Sequence, residues 1–352
     1  MISFFLESGN GNIFRAVDFV GEKPVKSGAM KKEDTPKQEE ERADARPPFR
    51  HVKAYENLDF LNSPVARTIR VHCEMLEPYY RLYPYSIRKT IVFFGSARTL
   101  PKADAEEALE RERRKVAELP LTEAERKLRI AVAERNVANA HYYEEARKLA
   151  RDLTQWSKEY FSKPGDRYYI CSGGGPGIME AANRGAFEAG GKSLGLGISL
   201  PFEQHPNPFI TPELDFEFRY FFIRKYWFLY LAHALIAFPG GYGTMDELFE
   251  MLTLIQTRKT PKKIPIVLFG REFWEKLINF EVFVELGYIS PEDLSLFRYF
   301  DKAEEAREYI IREVTTGMVE DEKIPGNIGS EDALHPHHLD LRRTHGGMRK
   351  NI

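Results

Sequence analysis

The sequence predicts an α/β protein: a Rossmann-like parallel sheet with helices on both faces, plus a charged helical insertion and N-terminal helices. Three observations predict it. Short apolar runs without polar alternation recur along the chain, as strands buried on both faces require. Helical patterns separate these runs, the order that makes a parallel sheet. Glycine-bearing turns follow three of them, at the carboxyl ends of strands, where such sheets bind ligands. The 352 residues suffice for one large α/β domain or two small ones, and 43% hydrophobic with 13% aromatic content supplies a substantial core.

Residues 1–50 read as an N-terminal tail, largely disordered, because the stretch near 21–50 is rich in Lys, Glu, Asp and Pro with few apolar positions. Residues 51–89 suggest a helical extension of one or two short helices. The main domain, 90–315, begins with a strand at Thr90–Phe94 that ends at Gly95-Ser96. A long charged stretch, Ala103 to Glu134, has Glu and Arg at helical spacing and reads as a solvent-exposed insertion within 101–140. A helix from His141 to Tyr160 follows, its apolar stripe formed by Tyr143, Ala146, Leu149, Ala150 and Leu153.

The second strand, Tyr168–Cys171, runs into Ser172-Gly-Gly-Gly-Pro-Gly177 and a helix from Ile178 to Ala189. Ser193–Leu200 is the third strand, Phe216 to His233 a strongly aromatic helix, Ala234–Phe238 the fourth strand and Ile264–Phe269 the fifth. Residues 316–352 read as a polar C-terminal tail. Its His335-Pro-His337-His338 has no cysteine or paired carboxylate to complete a metal site, so a solvated segment is the expectation.

Composition narrows the function. A net charge of −2, with no basic patch interleaved with aromatics, argues against nucleic-acid binding. No apolar run reaches membrane-spanning length. The two cysteines, Cys73 and Cys171, are far apart and fit a reducing cytoplasm better than a disulfide scaffold. The first residues lack a basic stretch and a small-residue cleavage site, so no signal peptide is expected.

The chemistry concentrates in Pro239-Gly240-Gly241-Tyr242-Gly243-Thr244-Met245-Asp246-Glu247, between a strand and a helix. Glycines let the backbone approach a phosphate, and the first helical N–H groups point at it with the positive end of the dipole. The motif ends in a carboxylate, which suggests chemistry on a phosphorylated small molecule. Thr244 and Glu247 alone also fit a capping box, Thr-x-x-Glu. A second glycine turn in the same sheet, Gly173-Gly174-Gly175, favours a site over a cap. That turn is neither a Walker A loop nor a dinucleotide fingerprint. Arg224-Lys225 lies inside an apolar helix, where cations need an anionic partner. Two readings stand there: both snorkel to the surface or form a structural ion pair, or Arg224 meets the ligand with its planar fork.

The pair Gly-Gly-Gly-Pro-Gly-Ile-Met-Glu and Pro-Gly-Gly-Tyr-Gly-Thr-Met-Asp-Glu, with Arg-Lys upstream of the second, resembles the Lonely Guy (LOG) family over roughly Thr90 to Ile310. These phosphoribohydrolases release a free base from nucleoside 5′-monophosphates. The resemblance implies catalytic roles for Arg224 and Glu247. It implies substrate contacts from Gly95, Ser96, the Gly173–Gly175 turn, Lys225, Gly240 to Asp246 and Thr253, and a ribose-side contact from Glu203. It implies a nucleotide as the small-molecule partner, assembly as a homodimer or larger homo-oligomer, and no metal or organic cofactor. Phe222-Ile223 replaces the family's usual Met-His before the arginine, and Ile178-Met179-Glu180 replaces Leu-Met-Gly of the plant enzymes; both changes bear on base specificity. Two further readings are set beside this one: a nucleotide or molybdenum-cofactor carrier on the same fold, and the lysine decarboxylase label attached to such sequences. The latter chemistry needs a Schiff-base lysine, for which no context is found.

Overall fold

Seven parallel strands form one sheet among the described residues, with helices packed on both of its faces. The computed structural model describes residues 52–200 and 205–321. The chain divides into two units, Met1–Glu56 and Asn57–Ile352. In the first, the described residues hold a single 3-10 turn, Ala54–Glu56. The expectations for the tails fall mainly on residues 1–51 and 322–352, outside the described residues, as does the His335–His338 cluster.

The second unit begins with α1 (Leu58–Asn62) and α2 (Arg67–Leu82). Strand β1 (Lys89–Phe94) leads to α3 (Lys102–Glu118) and α4 (Glu123–Tyr160). The expected insertion is therefore not separate from the helix that follows it. Thr122 and Glu125 form a capping box that starts α4, and 38 residues then run unbroken from charged surface into the core. Next come β2 (Tyr168–Ser172), α5 (Ile178–Glu188), β3 (Ser193–Ile198), β4 (Asp215–Phe218) and α6 (Phe221–Leu231). The last part holds β5 (Ala232–Ala237), α7 (Tyr242–Gln256), β6 (Ile266–Phe269), α8 (Arg271–Leu277), α9 (Phe280–Glu285), β7 (Phe297–Phe300) and α10 (Ala303–Asp321). Helix α10 carries the fold six residues past the expected start of the C-terminal tail.

Four sequence expectations are corrected. The aromatic helix expected over Phe216 to His233 is interrupted at both ends. Asp215-Phe-Glu-Phe218 alternates with period two and forms the edge strand β4, and Ala232-His233 already belongs to β5. The third strand stops at Ile198 and the fifth predicted strand starts at Ile266, one residue after Pro265, which has no N–H to give a ladder. Phe297–Phe300 is a further strand, too short for its apolar run to stand out.

The sheet order is β4-β3-β2-β1-β5-β6-β7. The chain builds outward from β1 to β4, then returns to the other side of β1 for β5. The β1–β5 boundary is thus the topological switch point, the crevice that such sheets offer to ligands. Successive residues of the central strands serve opposite cores. Val92, Phe94, Leu235 and Leu268 pack with α6, α7 and α8, whereas Ile91, Phe93, Ile236 and Val267 pack with α4, α5 and α10. Among the described residues no helix is long and apolar enough to cross a membrane.

Helices α4 and α5 meet at backbone distance. A Cβ placed on Gly185 falls 2.1 Å from the Arg147 carbonyl oxygen and 2.8 Å from the Arg151 nitrogen. Lys158 near the end of α4 donates to the Ala189 and Gly190 carbonyls that close α5. Gly185→Leu is therefore expected to cost about 3 kcal/mol or more, since helix backbone cannot yield as a side chain does. A lowered urea midpoint at constant m reads this out; an unchanged midpoint contradicts the close packing.

Candidate active site

Three strand ends meet at the switch point, and main-chain hydrogen bonds tie them together. The Ser96 N–H, just past β1, donates to the Pro239 carbonyl past β5 at 3.0 Å, and the Ser96 carbonyl accepts from Ile178 N–H at the start of α5 at 3.1 Å. Gly177 must remain a glycine for this tie: its φ is +73°, and a Cβ there would lie 2.3 Å from the Ser96 oxygen.

The Gly240–Gly243 turn divides into two kinds of glycine. A Cβ on Gly240 would lie 2.1 Å from the Thr244 hydroxyl, so packing forbids it. A Cβ on Gly241 or Gly243 would meet nothing within 4 Å, and neither residue has a positive φ. Fold geometry does not require glycine at these two positions. What their lack of a side chain does is leave the space beside the first turn of α7 open, at the helix end where the first N–H groups lack the usual intrahelical partners.

That space is a cleft of about 1060 Å³, at the upper end of small-molecule sites. Gly95, Ser96, Gly173, Gly174, Gly175, Gly240, Gly241, Tyr242, Gly243, Thr244, Arg224 and Glu247 all line it. Lys225, Met245, Asp246 and Thr253 do not. They face a second hollow of about 700 Å³ on the outer side of α7, shared with Tyr242. The Thr253 hydroxyl is turned back onto its own helix, donating to the Phe249 carbonyl. Glu203 lies outside the described residues.

Thr244 and Glu247 do not form a capping box. Helix α7 starts at Tyr242 with Gly241 as its cap residue, and no side chain bonds to the capping position. The helix begins three residues earlier than Thr-x-x-Glu requires, so Glu247 sits in the second turn and points inward. Its side chain is 5% exposed, 3.5 Å from Arg224 Nη2 and 3.5 Å from Lys225 Nζ. Arg224 and Lys225 do not snorkel; their side chains are 13% and 15% exposed. Among the described residues Glu247 Oε1 has no hydrogen-bond partner. Burial raises the Glu247 carboxyl above the usual carboxylate range, and the nearby Lys225 and Arg224 only partly offset that. Burial likewise pulls Arg224 down. Burial acts on Lys225 in the same sense but is outweighed by the Asp246 and Glu250 carboxylates, each 2.8 Å from Nζ, which hold its ammonium above the ordinary lysine value.

Helix α6, which delivers both cations, is braced by the N-terminal extension. The Glu74 carboxylate on α2 accepts from the Arg219 and Tyr220 N–H groups at 3.0 and 3.2 Å, just where α6 begins. The Trp227 indole N–H donates to the Glu74 carbonyl.

Sequence reasoning missed the support of the second glycine turn. Ser172 donates to Asn183 Oδ1 at 2.7 Å, and Asn207 Nδ2 donates to the Gly174 and Gly175 carbonyls and to Asn183 Oδ1. Every member is buried. A lone asparagine in a helix and another in a loop carry no sequence signal for such a network. Also missed were Asn136 and Asn139 of α4 and Phe221 of α6, which line the cleft.

A family model described as "Possible lysine decarboxylase" matches residues 179–310. The chain is 32% identical over 115 residues to a pyrimidine/purine nucleotide 5′-monophosphate nucleosidase of Escherichia coli (strain K12), covering 29% of this chain and 24% of that protein. It is 32% identical over 127 residues to the cytokinin riboside 5′-monophosphate phosphoribohydrolase LOG1 of Arabidopsis thaliana, covering 35% of this chain and 57% of that protein. The matches thus span about a quarter of the bacterial relative and somewhat over half of the plant one. An X-ray structure of a structural-genomics target matches with 18% identity and a TM-score of 0.37, covering 64% of this chain and 99% of that one.

Asn207→Ala removes the donor to the Gly175 carbonyl and to Asn183. A loss of about 1–3 kcal/mol in unfolding free energy is expected from the stranded buried acceptors. Stability unchanged from the parent protein would show that water replaces the amide there.

Proposed function

We propose that the chain is a member of the Lonely Guy (LOG) family, as its matches support, and that it hydrolyses the N-glycosidic bond of a nucleoside 5′-monophosphate to free base and ribose 5-phosphate. AMP, or an N6-modified AMP such as a cytokinin riboside monophosphate, is the substrate proposed. One observation carries this reading: Glu247, buried to 5% exposure with an oxygen lacking any hydrogen-bond partner among the described residues, lines the same cleft as the bare glycine turn of α7. A carboxylate is rarely buried so incompletely paired except where chemistry uses it.

The proposed division of labour follows from position. The 5′-phosphate sits at the α7 N-terminus, over Gly241 and Gly243, where helix N–H groups and dipole favour an anion. Glu247 lies five residues further along, about 7.5 Å down the helix axis, so the ribose spans the interval. As the C1′–N bond breaks, positive charge grows on the sugar. Glu247 stabilises that charge and takes a proton from the water that adds to C1′. The departing base gains a proton, and Arg224 orients the nucleotide beside it. Phosphate binding at the far end positions C1′.

Decarboxylation through a Schiff base is disfavoured by the state of Lys225. That chemistry needs a lysine whose ammonium is destabilised, and Lys225 is held in its charged form by the acids around it. We further propose a homodimer or larger homo-oligomer. Phe221, Phe222 and Tyr242, which are 50%, 59% and 96% exposed, support it as apolar surface beside the cleft.

Four outcomes test the reading. Incubation with nucleoside 5′-monophosphates is expected to release free base, and the matching nucleosides to release little; equal release from both would contradict the phosphate site. Glu247→Gln is expected to lose about 10²-fold or more in kcat with nucleotide binding retained. Gly241→Ala is expected to keep its melting temperature while KM rises, because the new methyl group enters only the ligand's space; a lowered melting temperature with unchanged KM sinks the assignment. The reaction needs ionised Glu247, whose carboxyl is raised by burial. Activity is therefore expected to fall with decreasing pH through a value above the usual carboxylate range.

A further inference from the structure

Helix α7 carries three acids on neighbouring positions, Asp246, Glu247 and Glu250, and all three converge on the single ammonium of Lys225. The distances are unequal. Asp246 Oδ2 and Glu250 Oε2 are each 2.8 Å from Nζ, whereas Glu247 Oε2 is 3.5 Å away. Asp246 and Glu250 are i,i+4 neighbours on the outer side of the helix, and Glu247 is turned toward the cleft. The two short ion-pair contacts place the ammonium nearer the outer acids than Glu247.

This arrangement has a cost that points to its use. Glu247 is the more deeply buried of the acids, with a side chain 5% exposed against 56% for Asp246 and 35% for Glu250. Stability alone would place the lysine's shortest contact on the buried carboxylate, where an unpaired charge is most expensive. The opposite is found. The charged groups that face Glu247 are Arg224 and Lys225 from α6 and Asp246 and Glu250 from α7, and the two cations both stand at 3.5 Å.

Resting on the reading that Glu247 acts at C1′, we propose that Glu250 is a positioning residue of this reaction. With Asp246, its carboxylate holds the Lys225 ammonium 3.5 Å off Glu247 Oε2, so that this oxygen is not tied up by an ammonium hydrogen bond and serves the reacting water and sugar. Lys225 supplies compensating charge at a distance without neutralising the base by direct contact. Its function is then to tune Glu247 from the outer side of α7, where it faces the second hollow and not the cleft.

The test compares the parent protein with Glu250→Gln, Glu250→Asp and the double variant Lys225→Met/Glu250→Gln. Two readouts are taken: the pH dependence of kcat/KM with AMP, and the carboxyl ¹³C titration of Glu247, assigned by the signal lost in Glu247→Gln. In Glu250→Gln, Lys225 is free to close on Glu247, and the Glu247 midpoint is expected to fall by about one pH unit or more. The acid limb of kcat/KM moves down with it, and kcat at neutral pH drops several-fold while KM stays within about two-fold. Glu250→Asp recovers part of the parent behaviour. The double variant, with no lysine to close in, has a Glu247 midpoint at or above that of the parent. A Glu247 midpoint in Glu250→Gln equal to or above the parent's overturns the proposal and leaves Glu250 a surface ion-pair partner. The titration decides this whether or not the parent protein releases base from AMP. Absence of base release would instead overturn the proposed reaction.

Discussion

The tie through Ser96 is the constraint on which the site depends. A single residue past β1 uses its N–H for the β5 loop and its carbonyl for the first residue of α5. Two glycine turns from opposite sides of β1 are thereby held in one rim. Because β1 and β5 are adjacent at the switch point, the tie needs no long loop, and the loops it joins are the ones that expose helix N-termini. The bare first turn of α7 is a consequence: Gly240 is packed against Thr244, and the next glycines stand clear of everything.

A second layer of design concerns charge. Burying Glu247 beside Arg224 and Lys225 exchanges solvation for pairing at distances too long for hydrogen bonds. In water-poor surroundings each of these charges is stronger and each unmet contact costlier. The N-terminal extension contributes by fixing α6 at its first residues through Glu74, so the cations are delivered from a helix that cannot rotate freely. The N-terminal helical extension therefore helps to aim the catalytic arginine we propose.

Helix α4 connects the remaining parts. Its lower half packs against α5 at backbone distance around Gly185, and its upper half rises from the charged stretch to bring Asn136 and Asn139 to the cleft. The inserted segment thereby reaches ligand space that the glycine turns alone do not define.

The sequence by itself determined the parallel α/β plan, because buried strands write continuous apolar runs and the turns between them write glycine. It also singled out the glycine turn before α7 and an anionic partner for Arg224 and Lys225 as one of two readings, since cations in an apolar helix are costly to bury alone; that Glu247 stands beside both was decided by the tertiary structure. Other features were decided only in three dimensions. Asp215–Phe218 is a strand because β3 offers it an open edge, although its aromatic content continues smoothly into α6. Thr244 and Glu247 fit a capping box on paper, and the helix began three residues too early for one. Whether Lys225 faces substrate or the acids behind it depends on which side of α7 it reaches. Asn207 meets Asn183 and the Gly174 turn only because β2, α5 and the segment after β3 converge. Residues far apart in sequence share these contacts, and no local periodicity encodes them.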